Sequence, residues 1–287
     1  MRLRTVPARQ GVLWARRGLR AFASRPLAFA MLFTSVMFLV LMVNLVPPLA
    51  VLVVPAVPLL SLGFMIATRK VLDGGFPTPR VFLEPLQVDR PRRIAYLKLG
   101  LIYMAATFAI TALVALIDTG GPEVLLESVP AAASAPGAAD AASAPAAGAV
   151  IAAAPDALIG LFLRFALAGL LAIPFWHAPA LVHWGGQGCA QSLFSSTLAC
   201  WRNRGAFAVY FLAWFAIVMG SSLLGSLILM LVGEPRLMMG TIVPLALVVG
   251  TMFYASLYFT FADCFVSADG QALQAAPIPR SPPEETS

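Results

Sequence analysis

The sequence predicts an all-α fold, a polytopic membrane bundle of six transmembrane helices with two amphipathic helices on the cytoplasmic side. Three observations carry this reading. Of 287 residues, 60% are hydrophobic and only 11% are charged, whereas a soluble domain carries roughly 25% charged residues. Six apolar runs approach the roughly 20 residues needed to cross a hydrocarbon core of about 30 Å. Positive charge is also confined. Of 19 Lys and Arg, 14 lie before residue 26 or between residues 69 and 98, and residues 118–156 hold none.

The first segment, 1–26, is basic and amphipathic. Val12, Ala15, Leu19 and Phe22 share one helical face, while Arg9, Arg16 and Arg20 cluster on another. Such a helix can lie in the headgroup plane with its apolar side down. A first three-span half follows over 27–117, with spans at Leu27–Asn44, Pro48–Ala67 and Leu99–Ile117. Residues 118–156 are expected to form a disordered periplasmic loop. Between Ser128 and Pro155 they are almost entirely Ala, Pro, Ser and Gly, and the prolines interrupt every potential helix. The second half, 157–262, holds spans at Ala157–His177, Phe207–Val232 and Met238–Ala262. Between the first two of these, Phe194, Leu198 and Trp201 recur at i, i+4, i+7 and end in Arg202 and Arg204, giving the second amphipathic helix. The Pro-rich tail, 263–287, reads as disordered and cytoplasmic.

Six spans place both termini on one side. Seventeen of the basic residues fall on that side, one (Arg236) on the other, and one (Arg164) inside a span. Basic loops are retained in the cytoplasm, so both termini are expected there, in a bacterial inner membrane. The charges lie beside apolar spans, which makes anionic lipid headgroups the expected partner and excludes nucleic acid. The headgroup contacts are assigned to Arg16, Arg17, Arg20, Arg92, Arg93, Arg202 and Arg204.

The two halves repeat a layout of amphipathic helix, outward span, Pro-containing turn and returning span with an internal proline. Pro58 and Pro244 are the internal prolines. Paired interruptions can mark a transporter site, yet proline is common in membrane helices, and the two halves run in the same direction. Arg164 is the one charge inside a span and Asn44 one of the few polar groups there. Arg164 either snorkels toward the periplasmic interface or lines a polar cavity. Ser221, Ser222, Gly225 and Ser226 form two small-xxx-small pairs, a close-packing face used within the chain or toward a second copy or a protein partner.

The stretch from Phe175 to Trp184 (FWHAPALVHW), Ser192–Ser196, Ala199–Phe207 and the Tyr258–Asp263 segment resemble an uncharacterised proteobacterial family of six-span inner-membrane proteins. More remotely, they are similar to membrane domains attached to some glycerophosphodiester phosphodiesterases, whose catalytic residues lie in a soluble domain absent here. The resemblance implies a six-span fold and no activity.

The residues themselves name no reaction. There is no Gly-rich phosphate loop, no Gly-x-Ser-x-Gly and no His-Glu-x-x-His. His177 and His183 stand about 240° apart on a helix and make no common ligand face. Cys189, Cys200 and Cys264 read as reduced packing residues. Trp176, Trp184, Trp201, Tyr96, Tyr210 and Tyr258 are expected to form an interfacial aromatic belt. The expectation is a non-enzymatic envelope protein without metal or cofactor, acting through lipids or partner proteins. The alternative is a small-solute or lipid transporter using the Pro-interrupted spans and Arg164.

Overall fold

The computed structural model describes residues 1–117, 155–232 and 237–266. Arg2–Leu3 forms strand β1 and Gln10–Ser24 forms α1. The first three spans are α2 (Pro26–Asn44), α4 (Val53–Leu72) and α5 (Arg90–Ile117), with a single turn, α3 (Pro47–Ala50), between α2 and α4. Two 3₁₀ turns, Pro79–Phe82 and Glu84–Leu86, precede α5. The second half holds α6 (Pro155–Phe175), α7 (Ala178–Gly185), α8 (Cys189–Arg202), α9 (Arg204–Val232) and α10 (Leu237–Cys264), ending in strand β2 (Phe265–Val266). Six helices are long and apolar enough to cross a membrane. The all-α, six-span bundle expected from the sequence is therefore the observed architecture.

Proline punctuates these elements for local reasons. Pro26 occupies the first position of α2, where its missing N–H has no intrahelical partner to lose. Pro174 and Pro179 bracket the break between α6 and α7. Gly186 ends α7 in the left-handed region at φ +61° and donates its N–H to the Leu181 carbonyl, a helix stop that favours glycine.

The most buried spans, α4 and α10, pack against each other at the centre. Thr68 of α4 donates to the Ala255 carbonyl of α10 at 3.2 Å. Around this pair, α5 packs on α4, α6 on α5 and α2 on α10. The two halves thus interleave into one bundle. α9 is the least buried span and presents Leu212, Phe215, Leu223 and Leu224 outward, the pattern of a helix whose solvent is lipid.

Three sequence expectations change. First, the stripe that α1 buries is Gly11, Trp14, Ala15, Gly18, Ala21 and Phe22; it keeps Ala15 and Phe22 of the expected stripe but is turned about 80° from it, which leaves Val12 exposed. It is seated on α9 and α10 rather than on headgroups. Second, residues 263–266 do not belong to a disordered tail. They complete α10 and pair antiparallel with the N-terminal strand, Leu3 opposite Phe265, and Arg4 donates to the Cys264 carbonyl at 2.8 Å. The two described ends therefore lie on one side of the bundle. Third, half of the aromatic belt is internal. Tyr96, Tyr210 and Tyr258 are buried and Trp201 is 69% exposed. Two of the buried phenols have partners inside the fold, Tyr210 with Ser256 and Tyr96 with His183, which removes their reason to seek an interface. The loop expected over 118–156 lies outside the described residues, apart from its last two positions, which begin α6. The tail beyond 266 and Arg236 lie outside them too.

Candidate functional site

The polar chemistry of the described residues gathers at the end of the bundle that carries β1 and β2. Asp263, in the last turn of α10, accepts hydrogen bonds from three side chains of α1: Gln10, Trp14 Nε1 at 2.8 Å and Arg17 Nη1 at 3.1 Å. The spacing 10, 14, 17 puts all three on one side of the helix. Asn203 bridges the other way. Its Oδ1 accepts the Val6 N–H at 2.8 Å, and its Nδ2 donates to the Arg4 and Ala199 carbonyls at 3.1 and 3.0 Å. One carboxylate and one amide thus tie the N-terminal segment to the two C-terminal spans. Gly11 and Gly18 allow the close fit: a Cβ on the first would overlap Ala206 of α9, and on the second Ser256 of α10. Asp263, Asn203, Trp14 and these glycines are not among the residues that the sequence singles out. The signal was present. Gly11 and Gly18 are seven residues apart, on one face, opposite Arg16 and Arg20.

A second cluster closes the break between α6 and α7. The Ile173 carbonyl accepts from Ser196 Oγ at 3.0 Å, and Ser196 Oγ accepts the His177 N–H at 3.0 Å. Thr260 Oγ1 donates to the Leu257 carbonyl at 2.7 Å. It stands 3.2 Å from His177 Nε2 and accepts from Trp176 Nε1, also at 3.2 Å. With the threonine proton on Leu257, the imidazole carries its own on Nε2. His177 and His183 belong to different neighbourhoods, the first fully buried and the second half-buried. Among the described residues, no group of three or more His, Cys, Asp or Glu could hold a metal ion. The three thiols are free. Burial pushes Cys189 up despite the opposing charge of Lys98, and pushes Cys200 up to about 12, so neither is poised as a thiolate nucleophile.

The basic residues assigned to headgroups divide. Arg16, Arg20, Arg93, Arg202 and Arg204 are exposed, whereas Arg17 is engaged by Asp263 and Arg92 pairs with Asp89 at 3.4 Å. Beside Arg202 and Arg204, α8 leaves Phe194 (69% exposed), Leu198 and Trp201 uncovered, and Arg204 Cζ sits 5.6 Å from the Trp201 ring centroid.

The remaining candidates do not converge. Pro58 is buried within α4 while Pro244 is exposed on α10. Asn44 is exposed and bonds back to the Val40 carbonyl at 2.8 Å. Arg164 falls on α6, with its side chain outside the described residues. The small-residue pairs separate. Gly225 lies against Leu245 of α10 and Ser221 bonds to the Val218 carbonyl, while Ser222 and Ser226 face outward.

Over 269 residues, 92% of this chain and 94% of the relative, the sequence is 32% identical to a probable inner membrane protein of Burkholderia thailandensis. No family model matches the chain, and no solved structure matches it. Nothing in these comparisons connects the chain to phosphodiesterase-attached membrane domains.

Proposed function

The chain belongs to the family of this probable inner membrane protein and is an integral, multi-pass protein of that membrane, and on that premise we propose that it is non-enzymatic, keeps both terminal segments in the cytoplasm, and works through anionic lipid headgroups and protein partners. The observation that carries this reading is the convergence of basic and interfacial groups on one end of the bundle. Arg4 and Arg17 are brought there by Cys264 and Asp263, and Arg202 and Arg204 flank Asn203 in the same cluster. The exposed Phe194–Leu198–Trp201 face lies beside them. Basic loops are retained in the cytoplasm, and an amphipathic helix edged by arginine binds anionic leaflets.

The interior polar groups support a non-enzymatic role, because Asp263, Asn203, Ser196 and Thr260 are each committed to structural bonds. The transporter reading draws less support, since Pro58 and Pro244 face different surroundings. Ser222 and Ser226, outward on α9, are the candidate contact for a second copy or another membrane protein.

Cysteine labelling tests the orientation. In a background with Cys189, Cys200 and Cys264 replaced by alanine or serine, Ser134→Cys should label from outside intact cells. Ser287→Cys should label only after permeabilisation. Labelling of position 287 from outside would overturn the orientation.

A further inference from the structure

Arg69, in the last turn of α4, has no carboxylate within ion-pair distance among the described residues. Its guanidinium lies over Trp184, with Cζ 5.8 Å from the ring centroid. Trp184 is itself held in place, stacked on Phe261 at 5.2 Å and edge-on to Tyr258 at 5.9 Å. The neighbouring cation, Lys70, takes Glu84. Arg92 comes from the first turn of α5. Its Nε meets Asp89, and its Nη2 stands 3.5 Å from where a Cβ on Gly186 would lie. Gly186 has no side chain to screen that end of the fork.

Next to Trp184 on α7 is His183, whose Nδ1 is 3.2 Å from Tyr96 Oη. With the phenol donating to Nδ1, the ring proton sits on Nε2, which has no protein partner among the described residues. Asp73, one turn after Arg69, is exposed. Across residues 69–98, seven basic residues face three acidic ones, an excess of four.

Two arginines from different helices, one fixed by an aromatic face and the other beside a bare glycine, leave donor edges for a tetrahedral anion. Guanidinium forks match phosphate oxygens better than point charges do, and basic pockets between spanning helices on the cytoplasmic side take anionic headgroups. We propose that Arg69, Arg92 and His183, on the shelf formed by α4, α5 and α7, bind the phosphate of an anionic ligand. The site deepens the lipid-interacting reading above and rests on it.

The test uses the full chain in nanodiscs of phosphatidylcholine alone or with added phosphatidylglycerol or cardiolipin, and native mass spectrometry to count retained lipid. Wild type should retain the anionic lipids preferentially. Arg69→Gln and Arg92→Gln should each weaken retention roughly five-fold, while Arg90→Gln, exposed on the same helix and outside the assigned headgroup contacts, should behave as wild type. Melting in phosphatidylcholine alone checks that each variant folds. If Arg69→Gln fails there, the half-exposed Arg92 decides alone. Inorganic phosphate added to phosphatidylcholine nanodiscs separates the sources. Protection of wild type but not of Arg69→Gln or Arg92→Gln keeps the site and assigns it a soluble phosphate. Equal loss in Arg90→Gln, or wild-type retention by both site variants, overturns the site while leaving the broader lipid reading standing. A wild type indifferent to anionic lipid and phosphate overturns both.

Discussion

The two amphipathic helices at the β1–β2 end of the bundle look alike in sequence and are used in opposite ways. α1 turns its small and aromatic residues inward and docks on α9 and α10, so its exposed surface is the arginine face. α8 buries Ser192, Ser196, Ala199 and Cys200 against α6 and α7, and leaves its large apolar residues outside. The difference lies in what each partner surface offers. α10 presents a carboxylate at Asp263 and a small residue at Ser256, which suit Trp14, Arg17 and Gly18. The α6–α7 break presents the His177 N–H and the Ile173 carbonyl, which also takes the Trp176 N–H, and both suit a serine hydroxyl. An amphipathic pattern fixes that a helix has two faces. What sits opposite decides which face is buried.

The sharpest way to break this comparison is Trp14→Ala. Trp14 is fully buried, 5.3 Å from the Phe207 ring centroid and bonded to Asp263. Truncation should cost about 3–5 kcal/mol, the range for large aromatic residues in a packed core. Thermal unfolding in nanodiscs measures it. A loss below about 0.5 kcal/mol, the range of an ordinary surface substitution, would mean that α1 is a surface helix after all.

The spans were legible because a run of apolar residues near the required length has little alternative. The observed α2, α6, α9 and α10 start or end within a few residues of the expected spans, whereas α5 begins at Arg90, well before Leu99, and α4 starts at Val53 after the separate turn at Pro47. The face of α1 was misread because Val12 and Leu19 carry more apolar area than Gly11 and Gly18. Close helix approach rewards the absence of a side chain, which an area-weighted pattern does not register. The face opposite Arg16 and Arg20 was the better guide. Asp263 was invisible as a hub because its three partners lie about 250 residues away along the chain, beyond any local pattern.

A smaller effect sharpens the α8 side. Ser196→Ala removes the hydroxyl that serves both the Ile173 carbonyl and the His177 N–H. Leaving the buried His177 N–H unpaired should cost about 1–3 kcal/mol, while the Ile173 carbonyl keeps the Trp176 N–H. Ser196→Thr keeps the hydroxyl and should recover part of that loss, read in the same unfolding assay. If alanine melted with wild type, the serine would not be what closes the break between α6 and α7.

Trp201→Ala should have the smallest effect on the fold and the most selective effect on the membrane. Trp201 is exposed, with the Arg204 guanidinium over its ring. An exposed cation–π pair contributes about 0.5–1 kcal/mol at most, so unfolding in detergent should shift little. At the membrane surface the same ring belongs among headgroups, where an indole can keep its N–H hydrated while its ring displaces water. Fluorescence should locate it. Brominated lipids labelled near the headgroup should quench wild type more than Trp201→Ala, and Trp14→Phe should leave that difference intact because Trp14 faces protein. If Trp201→Ala loses no quenching, the outer face of α8 does not meet lipid. The two amphipathic helices would then both be protein-facing, with an unseen partner covering Phe194, Leu198 and Trp201.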